Sequence, residues 1–234
     1  MIWLGIETSN SPLSVALVKD GQVLAEIVQN TKLTHSLTAM PAIEELFQKV
    51  NIEPAEIDAI AVAEGPGSYT GIRIGVTIAK TLAWTLKKPL VGVSSLKLLA
   101  SNAQLFNGTI CSLFDARRNN AYVGVYKGVE LEAVIEDQHL HIDELLTQLR
   151  ESSERVLFVG TDVDKFKETI ETQLGEKAIF APYSFNLPRA ANLIALAEQQ
   201  PLPTVEAVHT FVPQYHRIAQ AEANWIKEQK KEQR

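Results

Sequence analysis

Apolar and polar positions along this chain spell one short pattern twice. Ile2 to Ile6 reads as a strand ending on an acid, Glu7. A polar loop, Thr8-Ser9-Asn10-Ser11, leads to a second strand, Ser14 to Val18. Asp20-Gly21 is a hairpin turn, and Gln22 to Val28 returns as a third strand. Later, Ile110 to Phe114 ends on Asp115, and the polar loop Arg117-Arg118-Asn119-Asn120 follows. Tyr122 to Tyr126 is then a strand, and Lys127-Gly128 turns the chain into Val129 to Ile135. Each copy continues with alternating helices and strands. In the first they are a helix over Leu37–Val50, strand Ala59–Ala63, helix Ile72–Lys87, strand Leu90–Val93 and a helix from Ser95. In the second they are helix Ile142–Leu149, strand Arg155–Val159, a helix near Val163–Leu174, an apolar Ala178–Ala181 and a helix Pro188–Glu198. Pro41 either starts the first helix near Thr38 or kinks it.

A meander followed by βαβ crossovers predicts a mixed sheet with helices on both faces. Two copies predict two related lobes, 1–107 and 108–200, with a boundary near Phe106-Asn107-Gly108. Residues 201–234 are expected to pack back on the first lobe, with 227–234 as a fraying, solvated helix end. The strand-end acids Glu7 and Asp115 and their loops would then face each other across a cleft, where a nucleotide or metal would sit.

The sharpest local signal is Gly65-Pro66-Gly67-Ser68-Tyr69-Thr70-Gly71-Ile72-Arg73, between a buried strand and a helix. A glycine turn entering a helix gathers unpaired N–H groups and suits an anion. It lacks Gly-Lys-Ser/Thr, and Gly67 and Gly71 are spaced wrongly for a dinucleotide fingerprint. The plainer reading is a tight strand-to-helix turn capped by Ser68 or Thr70.

Composition narrows the class. The apolar fraction of 46% and charged fraction of 21% are those of a globular protein, and a net charge of −6 argues against direct collection of nucleic acid. The single cysteine, Cys111, sits in an apolar run and reads as a buried structural thiol. Ile2 to Ile6 is too short and uncharged for a signal peptide, and no stretch approaches a membrane span, so a cytoplasmic protein is expected.

Several segments together resemble the TsaB family, also called YeaZ. They are Ile6-Glu7-Thr8-Ser9 with Ser14-Val15-Ala16-Leu17, His35-Ser36 leading to Pro41, and Gly65 through Gly75. Further along come Gly92-Val93-Ser94-Ser95-Leu96, Asp115-Ala116-Arg117-Arg118, Pro188-Arg189-Ala190 and Pro213-Gln214-Tyr215. The resemblance departs at Asn119-Asn120-Ala121 and at His216. It implies an α/β, actin-like fold of the sugar-kinase/Hsp70 superfamily with two duplicated RNase H-like lobes. It also implies a role in making threonylcarbamoyladenosine next to the anticodon of tRNAs that read codons starting with A. There a TsaC-type enzyme makes threonylcarbamoyl-AMP, a TsaD-type paralogue transfers the group to tRNA, and TsaB holds TsaD together with the ATPase TsaE. The paralogue's metal-binding histidine pair falls here on Ser95 and Leu99, so neither a metal site nor catalysis is expected.

Two function classes follow: a non-catalytic scaffold, or an ATP-dependent phosphotransferase using the cleft. The phosphotransferase would draw on Glu7, Thr8, Ser9, Gly65, Gly67, Ser68, Asp115 and Arg117 as degenerate nucleotide and phosphate loops. Only Gly160 stands where such a cleft carries a Gly-Gly adenosine turn, which leaves room for no more than weak ATP or ADP binding. The scaffold reading rests on the helix from Ile72, apolar around most of its circumference, with Gly75, Ala79 and Ala83 every four residues. Leu37, Met40, Phe47, Arg73, Gly75, Val76, Ala79, Leu82 and Ala83 are therefore the expected partner surface. It would serve a TsaD-type paralogue, or a second copy of the chain when alone, with tRNA reached only through the complex.

Overall fold

The computed structural model describes residues 1–31 and 33–216. β1 (Ile2–Glu7), β2 (Leu13–Lys19) and β3 (Gln22–Gln29) form the first meander. α1 (His35–Val50), β4 (Ala59–Gly65), α2 (Tyr69–Leu86), β5 (Leu90–Ser94) and α3 (Ser95–Ser101) follow. The second meander is β6 (Thr109–Asp115), β7 (Asn120–Lys127) and β8 (Glu132–His141). After it come α4 (Ile142–Glu151), β9 (Val156–Val159), α5 (Lys167–Leu174), β10 (Ala178–Phe180) and α6 (Ala190–Ala197). The two five-stranded sheets run β3-β2-β1-β4-β5 and β8-β7-β6-β9-β10. In each, the meander pairs are antiparallel and the crossover pairs parallel, so the topology is duplicated as the sequence pattern predicts.

Strand alternation sorts side chains by size. On β1, β2 and β4 the outward face carries Leu4, Ile6, Val15, Leu17, Ile60 and Val62, which pack under α1 and α2. The inward face carries Gly5, Ala16, Ala59, Ala61 and Ala63. This small-residue face admits α6, whose Ala190, Leu193, Ile194 and Ala197 are buried against it. A Cβ on Gly5 would sit 2.8 Å from the Ala190 carbonyl oxygen, so the glycine sets how closely α6 approaches. The Ser14 hydroxyl accepts from the Ala190 N–H at 2.8 Å and fixes the register.

The helix expected to close 108–200 thus packs on the first sheet, over Gly5 and the alanines of β2 and β4, with Trp3 and Val18 at the far end of the same face. Three smaller differences also have local causes. The third strand of the second meander is Glu132–His141, not Val129–Ile135. Gly128 and Leu131 turn through positive φ, and the buried Leu131 plugs the core instead of starting the strand. The helix expected over Val163–Leu174 is a short 3-10 turn followed by α5, with Phe166 at the junction. α1 begins at His35 and runs through Pro41, whose ring faces solvent. The expected helix end at 227–234 lies outside the described residues.

Residues 205–214 lie along the first lobe. The Lys80 Nζ donates to the Phe211 carbonyl at 2.6 Å, Val208 is buried under α2, and the Gln214 N–H donates to the Glu64 carbonyl at 2.7 Å. Among the described residues no helix is long and apolar enough to cross a membrane.

Gly5→Val should lower unfolding stability by about 3 kcal/mol, because its branched side chain must push α6 off the sheet. Urea titration of the folded variant checks this, and an unchanged midpoint would show that α6 yields freely.

Candidate functional site

The glycine segment and the Thr8-Ser9 loop interlock. The Ser68 N–H donates to the Ser9 carbonyl at 2.7 Å, and the Thr8 hydroxyl donates to the Gly71 carbonyl at 2.8 Å. A Cβ on Gly67 would overlap the Ser9 carbonyl, one on Gly71 the Thr8 carbonyl, and one on Gly75 the Thr8 hydroxyl. The three glycines therefore give room to a crossing loop. Ser68 caps α2, its hydroxyl accepting from the Gly71 N–H at 3.3 Å. Of the two readings left open above, the tight capped turn is the one the geometry fits.

A cleft of about 620 Å³ opens between the lobes beside this turn, lined by Asn10, Gly67, Ser68, Tyr69, Phe114, Asp115, Arg117, Tyr122, Tyr215 and His216 among others. Of the residues expected there, Gly67, Ser68, Asp115 and Arg117 line it, while Glu7, Thr8 and Ser9 are buried behind it. Gly65 faces a different hollow, described below. The two strand-end acids therefore do not face each other.

Glu7 is fully buried. Its carboxylate accepts from the Ser9 N–H at 2.7 Å and the Ser9 hydroxyl at 2.6 Å. Loss of hydration pushes its pKa up to about 7, against the opposing hydrogen bonds from Ser9 and Asn10. Asp115 is the opposite case. Burial raises its pKa, but the Lys165 ammonium at 2.7 Å and the Arg117 N–H at 2.7 Å outweigh it and hold the carboxyl below its usual range. Lys165 also pairs with Asp162 at 2.9 Å, so one lysine of this chain is shared between two carboxylates at the strand end. Arg117, Arg118 and Asn119 all take left-handed φ, a run costly for L-residues. The Asn120 side chain ties this turn by donating to the carbonyls of Arg117 and Arg118, at 3.3 and 2.9 Å.

Ser95 and Leu99, where the resemblance would set a histidine pair, both serve the fold. The Ser95 hydroxyl accepts from the Gly65 N–H at 3.2 Å, and Leu99 is a core residue. Gly160 has φ +144°, and a Cβ there would overlap the Leu113 carbonyl, so its glycine is accounted for by close packing.

Sequence reasoning missed Lys165, which arrives from a 3-10 turn distant in sequence. It also missed Gln214 to His216, brought to the cleft only by the path of the C-terminal segment. A second hollow of about 560 Å³, on the other side of Gln214, holds Glu64, Gly65, Ser94, Tyr126 and Asp137. Ser94 from the first lobe and Tyr126 from the second both donate to Asp137. Burial keeps both carboxyls above their ordinary values, aided by the Asp137 charge for Glu64 and by the Glu136 charge for Asp137.

The expected partner surface divides. Leu37 is 71% exposed, and Met40 and Arg73 are also exposed, with the Arg73 guanidinium 5.1 Å from the Tyr69 ring centre. Leu82 is half-buried on the rim of a groove between α1 and α2. Phe47, Gly75, Val76, Ala79 and Ala83 are buried in the chain's own core, and the small-residue stripe faces the Thr8 loop and the sheet instead of a partner. The outward face of α2 is Arg73, Ile74, Thr77, Ile78, Thr81 and Trp84, the last 63% exposed.

Two stacked copies of a β-meander with βαβ crossovers around an interlobe cleft define an actin-like α/β protein. A solved structure from Pseudomonas aeruginosa, an uncharacterized protein with similarity to peptidase YeaZ, shares this fold. Its TM-score is 0.78, with 24% identity over 92% of this chain and 99% of that one. A family model described as TsaD, tRNA N6-adenosine threonylcarbamoyltransferase, matches residues 22–225. The chain is 40% identical over 109 residues to the tRNA N6-adenosine threonylcarbamoyltransferase of Fervidobacterium nodosum, but spans only 32% of that protein. Against the tRNA threonylcarbamoyladenosine biosynthesis protein TsaB of Bacillus subtilis it is 43% identical, covering 98% of this chain and 100% of that one. The chain belongs to the TsaB family, the shorter relatives of TsaD.

Because the folded pKa of Glu7 lies above its unfolded value, the native state holds the proton longer. Stability should therefore fall as pH rises from about 4.5 to 7, by up to roughly 3 kcal/mol. Glu7→Gln keeps the acceptor oxygen without the charge. It should flatten that fall, giving a chain more stable than wild type at pH 8 and little changed at pH 4.5. Parallel urea curves at both pH values would contradict the burial of an ionisable Glu7.

Proposed function

We propose that this chain is the non-catalytic partner subunit in threonylcarbamoyladenosine formation on tRNAs that read codons starting with A. It supports a TsaD-type paralogue that performs the transfer, works with a TsaE-type ATPase, and reaches tRNA only through the complex, in the cytoplasm. The observation that carries this reading is the state of the two strand-end acids: Asp115 is paired with Lys165 of the same chain, and Glu7 is buried under its own loop. An actin-like phosphotransferase needs acids of both lobes free to organise a metal and phosphates between them. The membership of the chain in the TsaB family supports the pathway.

The docking surface in this reading is the outer face of α1 and α2: Leu37, Met40, Ile74, Ile78, Leu82 and Trp84. An exposed apolar face of two adjacent helices suits the equivalent pair of a paralogue. A specific contact of that kind buries on the order of 1,600 Å² in total. A second copy of the chain would compete for the same face when the paralogue is absent.

Ile78→Arg and Leu37→Arg should each weaken binding to the TsaD-type paralogue more than tenfold, because a charge is then desolvated within an apolar contact. Calorimetric titration reads this, with circular dichroism as the folding control. Ala79→Arg should instead unfold the chain, since Ala79 is 0% exposed on the core side of α2. Wild-type affinity in folded Ile78→Arg protein would remove this face from consideration. With TsaC, TsaD and TsaE, tRNA, threonine, bicarbonate and ATP, transfer should require both TsaD and this chain.

The closed glycine turn and the Lys165 pair leave little for a nucleotide to hold. Titration with ATP should give a Kd no tighter than about 100 μM, roughly −5.5 kcal/mol. Micromolar binding with hydrolysis would favour the phosphotransferase instead.

A further inference from the structure

In the hollow beside Gln214 a side chain of the second lobe is fastened to the first. Between β7 and β8 the register slips, so that Glu136 and Asp137 together oppose Gly124 alone. A bulge of this kind re-aims a side chain. A Cβ on Gly124 would overlap the Asp137 carboxylate, so the glycine makes room for that group across β7. There Asp137 accepts from the Tyr126 hydroxyl of its own lobe and from the Ser94 hydroxyl of the first. Ser94 also caps α3, accepting from the Lys97 N–H at 3.0 Å. α3 packs on β4 and β5 as well as on β6 and β7, so Asp137 holds the start of a helix that both lobes share.

Glu64 brings a second carboxylate into the same hollow from the end of β4, over Gly92, where a Cβ would overlap it. Both acids are half-buried. Glu130, Glu132 and Glu136 stand around them, against Lys97 and His216. Burial raises both carboxyls, and the Asp137 charge raises Glu64 further. For Asp137 the Ser94 and Tyr126 bonds and the charge of His216 oppose the rise without cancelling it, and Glu136 adds to it. A proton is therefore held more tightly with the lobes together than on open, hydrated carboxylates.

We propose that Glu64 and Asp137 form a proton-operated latch between the lobes, shut while the pair holds a proton and loosened once both carboxylates are charged. One proton removes the repulsion in the hollow and leaves Asp137 able to accept from Ser94. As pH rises past the ordinary carboxylate range, two like charges share a partly dehydrated space, and parting the lobes rehydrates them. β7 carries the movement: Tyr126 faces the latch, and Tyr122 on the same strand lines the interlobe cleft. The latch thus sets the width of that cleft, independently of the α1–α2 docking face.

Gln22→Cys and Glu168→Cys place a pair of pH-insensitive dyes on the two lobes, both sites being exposed, while Cys111 is buried and stays unlabelled. Energy transfer in the full-length chain should fall between about pH 5 and about pH 8 with an unchanged circular dichroism spectrum, and recover on acidification. Glu64→Gln should keep the high-transfer state throughout, because only one charge remains in the hollow. Transfer that is flat or rises with pH in the otherwise wild-type chain would overturn the latch. So would a fall that persists in Glu64→Gln, and one that persists there but is lost in His216→Gln would place the response on that histidine. The measurement is made on the chain alone, so its failure leaves the docking reading standing.

Discussion

The close crossing of the Thr8-Ser9 loop over the start of α2 is the constraint on which the rest of this molecule depends. Gly71 and Gly75 lie a turn apart on α2, Gly67 just precedes its Ser68 cap, and each meets backbone or side-chain oxygen of that loop. The crossing draws α2 down onto β1 and β4 and sets which of its faces is core and which is surface. It also consumes donors. The Ser68 N–H is taken by Ser9 and the Gly71 N–H by the Ser68 hydroxyl, leaving fewer orphan groups for an anion at this helix end. A glycine pattern that would cradle phosphate in another setting here packs two segments of chain together.

The same crossing governs the acids. With the loop pressed on α2, Glu7 at the end of β1 is sealed in and bonded by Ser9 of that loop. Its counterpart in the second lobe stays at the cleft, but Lys165 stands beside it. Two duplicated strand ends thus reach opposite electrostatic solutions, one acid raised by desolvation and one held down by an internal cation. The duplication therefore preserves architecture without preserving the charge arrangement.

Most of the fold was legible because both repeats obey simple periods. β1, β2 and β4 alternate, α2 begins after a serine cap, and Asp20-Gly21 turns where the pattern says it should. The misses share a cause, that tertiary packing overrode local pattern. α6 follows the second sheet in sequence but packs on the first, since the small side chains of Ala59, Ala61 and Ala63 become a shared face only once the sheet forms. Ala79 and Ala83 showed the same ambiguity in reverse. A small-residue stripe signals close approach without saying to what, and here the loop and strands of the same chain are nearer than any partner. At the site, Asp115 and Arg117 could be read from the sequence, but Lys165 and Tyr215 could not. Nothing local tells a lysine fifty positions later that it will meet a strand end.

The residual surface follows from that division. Once Gly75, Val76, Ala79 and Ala83 are committed inward, α2 still has Ile74, Ile78 and Trp84 on its other side, and α1 adds Leu37 and Met40. Isolated exposed apolar residues need no explanation, but these lie on two adjacent helices, and Met40, Ile74 and Ile78 line one groove between them. Beside a cleft from which Glu7 is withdrawn, the chain thus presents an apolar face on α1 and α2, which is what the proposed docking role requires. A helix fixed to its own sheet by the glycine crossing would lose little freedom on meeting a partner, so the crossing and the proposed docking role are physically compatible.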